Sequence, residues 1–189
     1  RSVTPNALYR AFSWAGVDFI MLDTRSFRSP QNAPDGPGKT MLGSAQKTWL
    51  EETLSASKSR FKFIVTSVPF HGGGMDTWGS YRSEQQDLAR FVQDRKIGGV
   101  VFLCADYHLA RDWTTRKTGL REYMAGPIAS FTHYSRTPYS RDRYQKAGAF
   151  HYGDGYNFGL VTVDPEAGTG SIEWIGLDGK VLGKVEFAG

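Results

Sequence analysis

Only one cysteine, Cys104, occurs in the 189 residues, so no internal disulfide can form. The redox compartment stays open, because exported proteins also fold without disulfides. No apolar run approaches the ~18 residues a membrane-crossing helix needs; the longest, 98–105, has the length of a buried strand. Charge of one sign is scarce as well. With 23 basic and 19 acidic residues the net charge is +4, too mild an excess to indicate a nucleic-acid binder. There is no Gly-x-Ser-x-Gly elbow for a serine nucleophile, and the glycines 72–74 lack the Lys-Ser/Thr that completes a P-loop. No internal repeat or low-complexity linker is found. Arg1 is not an initiator methionine and no signal or transit peptide precedes it, so either the mature chain starts there or the chain is a piece of something longer.

Core material is ample. Hydrophobic residues make up 40% and aromatics 14%, including five Trp and twelve Phe. The length suits one domain, 1–189. Charge is uneven: 111–146 holds eight basic and three acidic residues, and 147–189 holds two basic and six acidic.

Hydrophobic spacing divides the chain into elements. Two short apolar stretches, 9–14 and 17–22, flank Ala15-Gly16 and predict a hairpin. Residues 27–41, with three prolines around Asp35-Gly36, predict a loop. A helix is predicted over 44–57, with Ser44 as N-cap and Ala45, Trp49, Leu50 and Leu54 on one face. A β-rich strand follows at 61–68. A second helix is predicted over 83–96, with Ser83 and Gln86 as a capping box and Leu88, Phe91 and Val92 as its stripe. The continuous apolar run 100–104 predicts a strand covered on both faces. Helix, strand, helix, strand is α/β alternation on a mostly parallel sheet. Beyond it the character changes. Strands are predicted at 109–115 and 120–126, then a Tyr/Arg-rich loop over 131–152, then an antiparallel meander over 157–163, 171–177 and 181–187.

The strongest chemical feature is the end of the buried strand, Leu103-Cys104-Ala105-Asp106-Tyr107-His108. Two residues apart on an extended backbone, Asp106 and His108 would project to one side. They lie where a strand opens into a loop, the usual ligand edge of α/β sheets. A hard carboxylate beside an imidazole suits a metal such as Zn, Mn or Fe; the plain alternative is an Asp capping a turn beside an unrelated His. His71 follows the neighbouring strand and either faces that pair, as a second catalytic histidine, or is a surface-loop residue. Asp23 and Arg25 either form a buried pair with other loops or bind an anion. Asp76, Trp78 and Tyr81 wall a pocket or cover the core. The basic and aromatic residues Arg111, Arg116, Lys117, Arg121, Tyr123, Tyr134, Arg136, Tyr139, Arg141, Arg143 and Tyr144 could take phosphate-bearing ligands through guanidinium forks, Arg111 foremost. They could also bind single-stranded nucleic acid or form a solvated loop. Cys104 lies inside an apolar strand, where a thiol is inert.

The order of several blocks resembles the alkaline phosphatase D family of the calcineurin-like metallophosphatase superfamily. These are Phe19-Ile-Met-Leu-Asp23-Thr-Arg25; Met41-Leu-Gly43-Ser-Ala-Gln46-Lys-Thr-Trp49-Leu50; Ser67-Val-Pro69-Phe70; Asp76-Thr-Trp78-Gly-Ser-Tyr81; and Val100 through Asp106-Tyr-His108-Leu-Ala110. Asn157-Phe158-Gly159 and the closing meander fit too, and the likeness spans about 8–187. The family's usual Gly-Asp-x-His carries Ala105 here in place of the glycine.

The resemblance implies a metal-dependent phosphomonoesterase or phosphodiesterase, using iron with calcium and working extracellularly or in the periplasm. The implied fold is an α/β one, part of a four-layer α-β-β-α sandwich. Asp106 and His108 carry over as metal ligands, with His108 also catalytic; Trp78 and Tyr81 carry over as substrate-pocket walls. The family's N-terminal blocks are absent, namely the first Gly-Asp, a metal-binding Cys, Tyr and Asn, and a bridging Asp. The chain therefore reads as the C-terminal half of such a domain. Its expected partners are a phosphate ester and the N-terminal half. A non-catalytic binding or structural module derived from the family is the alternative. If half the fold is absent, an apolar patch or unpaired sheet edge should stand open near 9–22 and near the crevice holding Asp106.

Overall fold

The computed structural model describes residues 7–74, 76–114, 118–138 and 149–189. In chain order the elements are β1 (Arg10–Trp14), β2 (Val17–Met21), α1 (Gly43–Ala56), β3 (Phe61–Val65), a 3-10 turn (Trp78–Ser80), α2 (Arg82–Asp94) and β4 (Val100–Cys104). Then follow β5 (Ala110–Asp112), β6 (Arg121–Met124), α3 (His133–Arg136), β7 (His151–Tyr152), β8 (Asn157–Asp164), β9 (Thr169–Gly176) and β10 (Val181–Ala188). One sheet has the order β1-β2-β3-β4-β6-β5-β7 and the other the order β10-β9-β8. The centre of the large sheet, β2, β3, β4 and β6, is parallel, and the small sheet is wholly antiparallel.

Register explains why there are two cores. Across the parallel strands, Ile20, Ile64, Phe102 and Glu122 form one row, and Phe19, Phe63 and Val101 form the adjacent row. Neighbouring residues of a strand face opposite sides. The Ile20 row therefore meets the helices, where Leu50, Leu54, Leu88 and Val92 pack with Phe70, Trp78 and Tyr81. The Phe63 row meets the small sheet, where Ile172, Trp174 and Phe187 close over Phe61 and Tyr123. Trp174 Nε1 donates to the Met124 carbonyl at 2.7 Å and ties the two sheets together. Each fully buried large apolar side chain contributes about 1.5–3 kcal/mol of transfer free energy.

The α/β alternation, the hairpin and the closing meander stand as the sequence predicts, with shifted boundaries, whereas the predicted loop over 131–152 contains α3 and β7, the latter paired with β5. β3 ends at Val65 and not at residue 68, because the Thr66 hydroxyl turns the chain by donating to the Val68 carbonyl at 2.9 Å. Neither helix has the predicted cap. α1 is capped from outside itself: Thr40 Oγ1 accepts from Gly43 N at 2.7 Å, and the buried Glu84 of α2 accepts from Met41 N and Leu42 N. Ser83 lies within α2, which makes no side-chain cap. Ala45 is exposed, and the buried face of α1 carries Gln46 in its place.

The described residues build three layers, helices, large sheet and small sheet; the fourth layer of the expected sandwich is not among them. β1 and β8 are outer strands of their sheets. On β1, Phe12 is 48% and Trp14 74% exposed, while Ile20 and Val101 are fully buried. On β8, Phe158 and Leu160 stand exposed beside the crevice described below. No helix among the described residues is long and apolar enough to cross a membrane.

Candidate functional site

The C-terminal ends of β2, β3 and β4 lie level at one edge. Leu22 N donates to the Val65 carbonyl and Thr66 N to the Leu103 carbonyl, so the loops that follow start side by side. A crevice of about 370 Å³ opens there. It is lined by Asp106 and His108 after β4, by 125–128 after β6 and by 157–159 at the start of β8. A larger cavity of about 680 Å³, between Arg121, Asp164 and Glu186, lies elsewhere and has no imidazole in its lining.

Asp106 and His108 share the crevice, though not through strand alternation. The chain has left β4 at Cys104, and both residues adopt positive φ, 80° and 55°. Such backbone costs of order 1 kcal/mol or more per residue and needs support from its surroundings. The support is visible. His108 Nδ1 lies 2.6 Å from the Phe131 carbonyl, and its ring packs against the Phe131 ring at a tilt of 35°, with 4.1 Å between centroids. A carbonyl only accepts, so Nδ1 carries the proton and Nε2 of the neutral ring keeps its lone pair. Tyr107, between them, donates its hydroxyl to the Gly73 carbonyl at 2.7 Å. No donor among the described residues hydrogen-bonds the Asp106 carboxylate. Burial raises its pKa, Asp76 adds to the rise, and Arg25 and His108 oppose it. An acid so placed favours a cation beside it.

Asn157 builds the far wall. Its Oδ1 accepts from Gly126 N at 2.9 Å, and its Nδ2 donates to the Gly126 carbonyl at 2.8 Å.

Other predicted site residues lie elsewhere. His71 does not join Asp106 and His108. Its Nδ1 meets Glu122 Oε2 at 3.0 Å, its Nε2 meets Thr118 Oγ1 at 2.7 Å, and its side chain is 4% exposed. Glu122, 0% exposed, also accepts from Phe70 N and His71 N, so it holds the loop after β3 by two consecutive amides. Trp78 and Tyr81 are fully buried and fill the helix-side core rather than walling a pocket. Trp78 Nε1 donates to Thr66 Oγ1, and the Tyr81 hydroxyl to the Ser29 carbonyl. Arg111 is buried too, its guanidinium 3.8 Å over the Trp113 ring, so it does not present a fork to a substrate. Arg116, Lys117, Tyr139, Arg141, Arg143 and Tyr144 lie outside the described residues.

Asp23 caps its own turn, its Oδ1 accepting from Arg25 N and Ser26 N at 2.9 Å, and Arg25 pairs with Asp76 and not with Asp23. Burial pushes the Cys104 thiol well above its ordinary value, and Glu122 beside it adds to the rise, in keeping with an inert thiol. Glu122 and Phe131 escaped the sequence reading. A Glu in a short strand carries no mark of burial, and Phe131 acts through its carbonyl.

Comparisons with known proteins place the chain among relatives. The sequence model of the PhoD-like phosphatase family matches residues 1–174. Alkaline phosphatase D of Bacillus subtilis (strain 168) is 27% identical over 122 residues, covering 53% of this chain and 21% of that protein. A solved structure of PhoD superimposes with a TM-score of 0.76 at 21% identity, over 99% of this chain and 42% of its own. GAP50, the anchor in the inner membrane complex of Plasmodium, shares the fold at a TM-score of 0.52 and 12% identity, over 95% of this chain and 53% of its own. The chain thus spans well under two thirds of these relatives. With a family match over most of its length and the PhoD fold throughout, the chain belongs to the PhoD-like phosphatase family.

Proposed function

We propose that this chain supplies the C-terminal part of the active site of a metal-dependent phosphoric ester hydrolase, a phosphomonoesterase or phosphodiesterase. The observation that carries the reading is the shared crevice of Asp106 and His108, with His108 pinned through Nδ1 so that Nε2 is available. An anchored imidazole and a carboxylate lacking hydrogen-bond donors fit metal ligation. When bound, the metal neutralises phosphoryl oxygens and lowers the pKa of a water. The ions are iron and calcium if the family resemblance holds. The Phe131 carbonyl fixes the tautomer of His108, and Asn157 and the 125–128 segment shape the pocket for the ester.

Two donors do not complete a site. Among the described residues, no group of three or more His, Cys, Asp or Glu could hold a metal. The remaining ligands would come from the N-terminal half of the fold, seated along β8, where Phe158 and Leu160 are exposed beside the crevice. By the same family reading, the protein works extracellularly or in the periplasm. The two-donor count also favours a second reading for the chain by itself, a non-catalytic binding module, and metal content distinguishes the two.

The test is Asp106→Ala in the full-length protein, assayed for metal content and for turnover of a generic aryl phosphate. Bound metal should fall. Turnover should drop more than the roughly 10–100-fold seen when a partner behind a metal ligand is lost, with little change in the unfolding midpoint. Near-normal turnover in Asp106→Ala would remove Asp106 from the ligand set.

A further inference from the structure

Three charged residues at this edge have no role in the reaction proposed above. β2 ends at Met21, and the turn that follows is unusually well held. Gln46 brackets the Asp23 backbone on both sides, with Asp23 N donating to Gln46 Oε1 and Gln46 Nε2 donating to the Asp23 carbonyl, each at 2.8 Å. Thr24 Oγ1 meets Ser67 Oγ at 2.5 Å, and Asp23 Oδ1 holds the amides of Arg25 and Ser26. This base projects Arg25 and Arg28 from the edge. The loop after β3 brings Asp76 to them. Asp76 Oδ1 accepts from Arg25 Nη1 and from Arg28 Nη1, both at 2.7 Å, and Oδ2 accepts from Arg25 Nη1 at 2.9 Å.

Two guanidinium groups thus share one carboxylate and carry an excess positive charge. Each uses only Nη1 in this contact. The Nε and Nη2 groups of both have no hydrogen-bond partner among the described residues, and their side chains are 46% and 24% exposed. A partly exposed ion pair stabilises a fold by well under the worth of this much ordering. The shared carboxylate brings two guanidinium groups together with N–H donors to spare, and phosphate oxygens accept from such groups. It also belongs to the same neighbourhood as Asp106. The loop carrying Asp76 is joined to the Asp106 turn by the Tyr107–Gly73 hydrogen bond, and the Arg25 charge acts on the Asp106 carboxyl.

We propose that Arg25 and Arg28, held side by side by Asp76, form a fork for the non-reacting oxygens of a phosphate group, beside the loop that the Tyr107–Gly73 hydrogen bond joins to the Asp106 turn. This deepens the hydrolase reading and rests on it for the identity of the substrate. Arg25 and Arg28 donate charge-assisted hydrogen bonds to the oxyanion. Asp76 is a positioning residue that keeps both guanidinium planes in place between substrates.

The test uses the full-length protein and inorganic phosphate titrated calorimetrically, alongside KM and kcat for an aryl phosphate. The double variant R25Q/R28Q should bind phosphate roughly tenfold or more weakly than wild type and raise KM at least in step, with the unfolding midpoint little changed. R25K should not restore affinity, because an ammonium lacks the planar fork. Equal phosphate affinity in R25Q/R28Q and wild type overturns the fork, as does a wild type that binds no phosphate. If wild type turns over ester while the double variant keeps its phosphate affinity, the hydrolase reading stands and the fork falls. If wild type turns over nothing but loses phosphate binding in the double variant, the fork stands and the hydrolase reading falls.

Discussion

Glu122→Ala should be the most destabilising polar substitution in this chain. Its carboxylate is fully buried in line with Ile20, Ile64 and Phe102. Oε1 accepts from Phe70 N at 2.5 Å and from Cys104 Sγ at 3.1 Å. Oε2 accepts from His71 N at 2.8 Å and meets His71 Nδ1 at 3.0 Å. Alanine strands two backbone amides in the interior, each costing about 1–3 kcal/mol, and leaves His71 Nδ1 without its partner. The net loss should be about 3–5 kcal/mol, the range for breaking a buried pair. At ~2–4 °C per kcal/mol for a domain of this size, the midpoint should fall by ~6–20 °C. Glu122→Gln keeps one acceptor but turns an NH2 toward an N–H, and should lose about 2 kcal/mol.

The assay is thermal and urea unfolding of the full-length protein, with hydrogen exchange at the Phe70 and His71 amides. A double-mutant cycle with His71→Ala should give a coupling of about 0.5–3 kcal/mol. If Glu122→Ala lies within 1 kcal/mol of wild type and those two amides keep their protection, the carboxylate does not hold the loop. Strict additivity with His71→Ala would refute the direct pair.

Two further outcomes follow from geometry and charge. Burial holds the His133 ring below the ordinary imidazole range, the neighbouring His108 adds to this, and a hydrogen bond with the Tyr107 carbonyl opposes it. A depressed imidazole favours the neutral ring in the folded chain. Its contribution is therefore present above the ordinary value near 6.5 and is lost as pH falls through the folded value. Acidification from about pH 7 to 5 should lower the wild-type midpoint more steeply than that of His133→Gln, and equal slopes would contradict the assignment. Gly99 has φ +68°, and a Cβ there would lie 1.6 Å from the Arg60 carbonyl oxygen, so Gly99→Ala must force β3 and β4 apart. A loss of about 3 kcal/mol or more is expected from urea unfolding; a loss under about 1 kcal/mol would mean that this close approach is absent.

The secondary structure was largely legible because it rests on local chemistry. The run 100–104 is apolar on both faces and became a central strand, and Asp164-Pro165 and Asp178-Gly179 delivered the meander turns. The caps were not legible, since Thr40 and Glu84 are brought together only by packing α2 on α1. A Ser near a helix start has the right chemistry, but nothing local shows that a carboxylate forty residues away already satisfies those amides.

The candidate site divides along the same line. Asp106 and His108 could be named from the sequence because their chemistry and the strand before them are adjacent in the chain. Their common crevice was anticipated, but the cause was not: positive φ at both residues and the Phe131 carbonyl place them there, not strand alternation. For Trp78 and Tyr81 the residues left pocket wall and core cover open and the family resemblance implied the wall; packing sent both to the core.

What the sequence by itself determined is the α/β alternation, the hairpin, the closing meander and the family, all properties of contiguous stretches. Only the tertiary structure decided that Glu122 and not Asp106 receives His71, and that Asp76 gathers Arg25 and Arg28. The physical reason is register. Strands adjacent in the sheet are separated in the chain by about forty residues or by twenty, and which side chains become neighbours depends on which residues align across them. A shift of one residue would turn Glu122 to the opposite face of the sheet and leave the His71 loop without its anchor.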